Sequence, residues 1–252
     1  MRQLEWNNRI GIIGTSRTGK SWLMKYIINQ YIKNDKRRYY IVIDDKLSNV
    51  VELYENGFHV EEITAEKING KFSLKKFIKY HEKVVFLING FFDQKEIYKF
   101  LNKLAFTVYN LKDALFCIDE AHSFLPSGKY EPENIKKLER GGAKDGIDFI
   151  ISTHRLTDVS PDVVSLLNVI ISFQNNEVNT VERLAEFFDQ FYNPENNNLI
   201  DPDLPKATKN RFKEMLKTRN PEHIIKKLKK REFLYADLPE GIQEITSSNL
   251  LS

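Results

Sequence analysis

With 252 residues, 41% of them hydrophobic, the chain is long enough for one large domain or two small ones around a buried core. Its lone cysteine, Cys117, cannot form an internal disulfide, and no apolar run approaches the ~20 residues of a membrane-spanning helix, which argues against a disulfide scaffold and against membrane insertion. The net charge of +3 is unevenly spread: residues 206–232 hold eleven Lys or Arg against three Glu, a net +8, so the remainder carries −5. That asymmetry fits either a polyanionic partner or a solvated helical face.

In chain order, MRQLEWNNR at the start has no apolar stretch of signal-peptide type, and with the single free thiol it points to a cytoplasmic location. Apolar β-rich runs then alternate with segments of helical period. The first strand is expected at 9–14 (RIGIIG), and after a glycine-containing loop Trp22, Leu23, Tyr26 and Ile27 share one helical face. Further strands are expected at 39–44 (YYIVID), 83–88 (KVVFLI), 114–119 (ALFCID), 147–153 (IDFIIST) and 168–173 (NVIISF). Ile97, Leu101, Leu104 and Val108 make a second helical stripe. Near-continuous apolarity in the strands implies burial on both faces, hence an α/β fold with a mostly parallel sheet and helices on both faces. Loops are marked at 126–132, 140–146 and 192–205. The last is the expected boundary between a core, 1–192, and a basic carboxyl-terminal extension, 193–252, whose 231–238 (REFLYADL) alternates like a peripheral strand packed on the core.

Gly14, Gly19, Lys20 and Ser21 in GTSRTGKS satisfy the G-x-x-x-x-G-K-[ST] pattern between a strand and a helix, the context its mechanism needs. Glycines let the backbone of Gly14, Thr15, Ser16, Arg17, Thr18 and Gly19 wrap closely enough for N–H groups to meet phosphate oxygens at a helix amino end. Trp22 borders the same loop. Lys20 would neutralise the β and γ phosphates, and Ser21 would ligate Mg²⁺. In ALFCIDEAH, Asp119 ends a buried strand and would hold Mg²⁺ directly or through water, while Glu120 can orient or deprotonate the attacking water. The strand bearing Asp119 need not neighbour the first strand. No Asn-Lys-x-Asp guanine-reading motif occurs, so the nucleotide is read as ATP.

With both motifs placed, the chain resembles the HerA/FtsK superfamily of DNA-pumping ATPases, including the packaging ATPases of archaeal viruses. The resemblance runs from about residue 9 to residue 190. IVIDDK (41–46) is similar to the family's second-strand signature. RGGAKDGIDFIISTHRLTDVSPDVVSLLNVIISF (140–173) resembles its basic loop, sensor strand, Asp-Val turn, helix and final strand. The resemblance implies a RecA-like P-loop fold, Mg²⁺-dependent ATP hydrolysis, a homo-oligomeric ring, hexameric in the family, and double-stranded DNA in its pore. A virus- or plasmid-encoded motor would work in the host cytoplasm, with a capsid or portal protein as a further partner. Two departures stand out. His154 occupies the place of the family's sensor Gln, and Ala143 stands where a second loop arginine is common, which leaves Arg140 as the leading arginine finger, with Lys144 and Arg155 behind it.

A motor grips DNA through phosphates, so the segment 206–231 and the cluster Lys33, Lys36, Arg37 and Arg38 are candidate DNA contacts. Two other readings compete. The literal DEAH at 119–122 suggests a two-domain helicase, but the chain has room for one motor domain. An ATP-dependent DNA-binding switch, a replication initiator or assembly factor with low turnover, uses the same residues.

Overall fold

The computed structural model describes residues 8–45, 53, 56–88, 92–128, 133–189, 200, 205–216, 220–237 and 242–247. The expected 192/193 boundary lies outside them, as does Lys46 of the second-strand signature. The strands are β1 Arg9–Ile13, β2 Tyr39–Asp44, β3 His59–Glu62, β4 Lys83–Leu87, β5 Ala114–Ile118, β6 Ile147–Thr153, β7 Val169–Phe173, β8 Glu232–Asp237 and β9 Ile242–Ser247. They form one sheet in the order β3-β4-β2-β5-β6-β1-β7-β8-β9. All pairs from β3 to β7 are parallel, and β8 and β9 are antiparallel additions.

β2, β5, β6 and β7 are buried at every position, as their unbroken apolar runs require. Helix Lys20–Lys33 packs Leu23, Met24, Ile27, Ile28 and Tyr31 on one face of the sheet, against Ile10, Ile12, Val42, Leu115 and Ile171. The opposite face carries a larger cluster built on helix Gln94–Leu111, with Phe100, Leu101, Leu104 and Val108 buried, and on Ile135, Leu138, Val163, Val181 and Leu184 from later helices. Helix Gln94–Leu111 begins at Asp93, whose carboxylate accepts from the Glu96 N–H, a side-chain cap that satisfies an otherwise orphaned donor. No helix among the described residues is long and apolar enough to cross a membrane.

Several expectations need correction. Trp22 and Tyr26 are only partly buried; they stack on each other, centroids 5.6 Å apart, at the rim of the stripe formed by Leu23 and Ile27. The 140–146 loop is the end of helix Glu133–Gly141 followed by a 3-10 turn, Gly142–Asp145. Two strands were not anticipated, β3 (HVEE) and β9 (IQEITS): both lie at sheet edges, where polar residues are tolerated and the apolar run disappears. Arg37 is buried and donates from Nε to Asp148 Oδ2 at 2.9 Å, so it is a structural ion pair and not a DNA contact. Burial pushes the Asp148 carboxyl up from its ordinary value, and Arg37 opposes that rise.

The carboxyl-terminal residues are integral to this architecture. Helices Lys206–Leu216 and Pro221–Lys227 bury Phe212, Met215, Ile224 and Ile225 in the second cluster. β8 runs antiparallel to β7, placing Phe233 opposite Phe173 with ring centroids 5.3 Å apart.

Candidate active site

The parallel strands deliver their carboxyl ends to one edge of the sheet, and there β1, β5, β6 and β7 bring the sequence motifs together. The loop after β1 is pinned on both sides: Gly14 N–H donates to Thr153 O at the end of β6 (3.2 Å), and Thr15 N–H donates to Gln174 O after β7 (2.9 Å). A Cβ on Gly14 would stand 2.6 Å from Phe173 Cβ and 3.0 Å from Thr18 Oγ1, so only glycine allows this approach. Gly19 has φ of 121°, in the left-handed region, and opens helix Lys20–Lys33 with no side-chain cap. A helix amino end suits an anion, because its N–H dipoles point outward.

Within the loop, Ser16 and Arg17 are exposed at the tip, Arg17 with φ of 66°. Thr18 is not a tip residue: it is 5% exposed, its hydroxyl donates to Thr15 O (2.8 Å), and its carbonyl accepts from Arg231 N–H (3.0 Å). Lys20 Nζ lies 3.3 Å from Thr15 O and 3.9 Å from Glu120 Oε1. Ser21 Oγ donates to Asp119 Oδ2 at 3.0 Å, so the two side chains expected to share a cation are in contact. Two oxygen donors, a hydroxyl and a carboxylate, suit a hard cation such as Mg²⁺.

Asp119 follows β5 and is 1% exposed; Ser152 Oγ donates to its Oδ1. Glu120 turns the chain at φ 49° and ψ 53° and donates its N–H to Asp119 Oδ1 (3.1 Å) and Ser152 Oγ (3.3 Å). That turn aims its carboxylate away from Asp119 into a basic niche. Glu120 Oε2 lies 3.0 Å from His154 Nδ1 and 3.5 Å from His122 Nδ1, while Oε1 faces Lys20. Burial pushes the Glu120 carboxyl up, but Lys20, His154 and His122 outweigh it and hold the group below the ordinary glutamate value. Burial and the charge of His154 lower His122. His154, read as a γ-phosphate sensor, thus sits on the proposed base, and Asn175 Nδ2 secures it through the His154 carbonyl (3.1 Å).

Arg140 is elsewhere. It is exposed near the end of helix Glu133–Gly141, which leads through Gly142–Asp145 to the amino end of β6, whereas the phosphate loop meets the carboxyl end of that strand. Seven residues at ~3.3 Å each separate the two ends of β6 by about 20 Å. Arg155 is exposed beside the site and pairs with Asp158 at 3.4 Å. Sequence reasoning overlooked Ser152, His122 and Arg231. The first two are visible as polar residues next to buried strand ends. Arg231 was hidden in the basic run, yet its guanidinium stands over the Trp22 ring, 5.8 Å from its centroid, against the phosphate loop.

No protein-family model matches the sequence, and neither does any curated protein sequence. Solved structures do match. The genome-packaging NTPase B204 of Sulfolobus turreted icosahedral virus 2, in complex with ATP-gammaS, superposes with a TM-score of 0.64 over 97% of this chain and 98% of that one, at 18% identity. The fold is that of a P-loop NTPase. B204 from Sulfolobus Turreted Icosahedral Virus, a DNA-packaging ATPase, has 20% identity and a TM-score of 0.61 over 97% and 98% of the two chains. VirB4 of Thermoanaerobacter pseudethanolicus gives 0.62 at 9% identity, over 96% and 89%. The RecA-like α/β expectation therefore holds for the P-loop NTPase fold: a nine-stranded, mostly parallel sheet flanked by helices. In that fold the loop 14–21 and the Asp119–Glu120 pair occupy a single edge, and the B204 structures were solved with AMP, AMPPCP and ATP-gammaS bound.

Proposed function

We propose that the protein is an Mg²⁺-dependent ATPase that drives double-stranded DNA through a homo-oligomeric ring, as a genome-packaging or DNA-pumping motor. The observation that carries this reading is the convergence of Lys20, Ser21, Asp119 and Glu120 at one sheet edge in a fold shared with a packaging NTPase. ATP phosphates would lie on the loop 14–21 between the backbone N–H groups and Lys20, which leaves Glu120 as ATP separates the two side chains. Ser21 and Asp119 would hold Mg²⁺, which when bound neutralises phosphate charge. Glu120 accepts a proton from the attacking water, with His154 Nδ1 remaining 3.0 Å from its Oε2 to orient it. His154 positions the Glu120 carboxylate. Arg140, too far from its own phosphates, serves a neighbour's, where a guanidinium stabilises charge developing on the transferred phosphoryl group.

The deciding measurement is ATP turnover with and without duplex DNA, for the wild type and Glu120→Gln. A motor is stimulated by duplex, and the variant loses turnover by roughly 100-fold or more while still binding ATP. Turnover indifferent to DNA in an assembled ring sinks the motor and favours the ATP-dependent DNA-binding switch.

A further inference from the structure

Beside the oxygen-lined Ser21–Asp119 pair stands a second group of donors with a different chemistry. We infer that Glu120, His122 and His154 form a site for a borderline transition-metal cation of the zinc(II) type, and that filling it arrests hydrolysis by withholding Glu120. The regulatory half of this inference rests on the proposed role of Glu120 as base; the metal site itself does not.

The geometry comes first. One ligand atom from each of the three side chains lies within 4.8 Å of the others. Glu120 Oε2 is 3.0 Å from His154 Nδ1 and 3.5 Å from His122 Nδ1. Around a tetrahedral zinc ion with bonds of ~2.0–2.1 Å, neighbouring ligand atoms stand about 3.3–3.4 Å apart, so the two carboxylate–imidazole spacings already match to within a few tenths of an ångström and the imidazole pair closes from at most 4.8 Å. The imidazole rings meet edge to face with centroids 4.1 Å apart, and both Nδ1 atoms lie within 3.5 Å of Glu120 Oε2.

Donor chemistry then separates the two sites. Two imidazole nitrogens and one carboxylate suit zinc, whereas Mg²⁺ dehydrates reluctantly and prefers oxygen. The side chains are 12%, 19% and 31% exposed for Glu120, His122 and His154, enough for an ion to enter and for water to complete its shell. Two of the groups are held in place independently of any ion: the left-handed turn fixes Glu120, and Asn175 holds the His154 backbone, while His122 Nδ1, now 3.2 Å from Thr153 Oγ1, exchanges that contact for the ion. A carboxylate bound to a divalent cation is a far weaker base toward water, because the cation's charge favours its ionised form.

The test uses the full-length, metal-free protein without nucleotide, titrated with Co²⁺ and then Zn²⁺. The intense d–d absorption of tetrahedral cobalt is expected in the wild type and is abolished by zinc. His122→Gln and His154→Gln weaken cobalt binding by more than ~100-fold. His59→Ala, which removes the stacked His59–His81 pair as a competing site, leaves the spectrum intact. At saturating Mg²⁺, zinc lowers wild-type ATP turnover by roughly 100-fold, and the residual turnover of His122→Gln does not respond. Glu120→Gln, which keeps the side-chain size, serves as the second variant if a histidine substitution abolishes cooperative melting. An absent tetrahedral spectrum, or one unchanged in cooperatively melting His122→Gln, overturns the site. Cobalt binding as described in a protein that never hydrolyses ATP would instead remove the ATPase reading and leave the site standing.

Discussion

At Gly14 the phosphate loop is pressed against the end of β7, so a single methyl group is a severe test of the site. Gly14→Ala puts Cβ at 2.6 Å from Phe173 Cβ, and the overpacking is expected to cost about 1–3 kcal/mol, read as a lowered urea midpoint together with lost ATP binding. The buried Arg37–Asp148 pair makes a different prediction. Arg37→Ala strands a carboxylate in the interior and costs about 3–5 kcal/mol. Asp148 has its folded pKa raised by burial, so the folded state holds the proton more tightly than the unfolded one. The sign follows: stability from this group is present at low pH and lost as pH rises through the raised value, so the variant's deficit shrinks as pH falls from neutral toward that value in paired urea titrations. Some of this was readable beforehand. The pattern of Gly14, Gly19, Lys20 and Ser21 fixes a backbone conformation, and a motif of that kind survives translation into coordinates. The fate of Arg37 was not readable, because RR in a loop looks the same whether its carboxylate partner, 111 residues away, exists or not.

Among the elements, β8 changes the meaning of the basic tail. The seven expected strands lie within a residue of their observed ends; six are buried parallel strands that announce themselves by unbroken apolarity, whereas the edge strands β3 and β9 do not. The alternation in REFLYADL pointed to a strand but not to its consequences: Phe233 and Tyr235 close the face covered by helix Lys20–Lys33, and Arg231 N–H holds Thr18 O. Truncation after residue 205 is therefore expected to abolish cooperative thermal unfolding, rather than only to weaken DNA binding. Because β8 is antiparallel to β7, the exposed Lys226, Lys227, Lys229 and Lys230 arrive at the same edge as the phosphate loop. If they contact DNA phosphates, reversing all four to Glu flattens the slope of log K against log[salt] by about 3–4. An unchanged slope with an unchanged melting curve assigns these lysines to solvent.

For the whole molecule, the separation of Arg140 from the phosphate loop means that, under the proposed function, activity requires an assembly. Arg140→Ala alone is expected to lose about 10³-fold in turnover, and Glu120→Gln alone is inactive. Mixed and allowed to exchange subunits, the two restore part of the activity, because an intact site on an Arg140→Ala subunit receives a finger from its neighbour. Failure to complement, with assembly verified by mass, removes Arg140 as a finger supplied in trans. Ring size was not legible in the sequence, because an interface between copies leaves no spacing or period in a single chain.

The contact between Arg231 and Thr18 joins residues 213 positions apart, and that has a consequence in time. At about 5–20 residues per second, a ribosome needs roughly 10–40 s to go from the phosphate loop to the arginine that backs it. During that interval the loop has been made without β8, so the proposed nucleotide site is incomplete on the nascent chain until the strand that backs it follows.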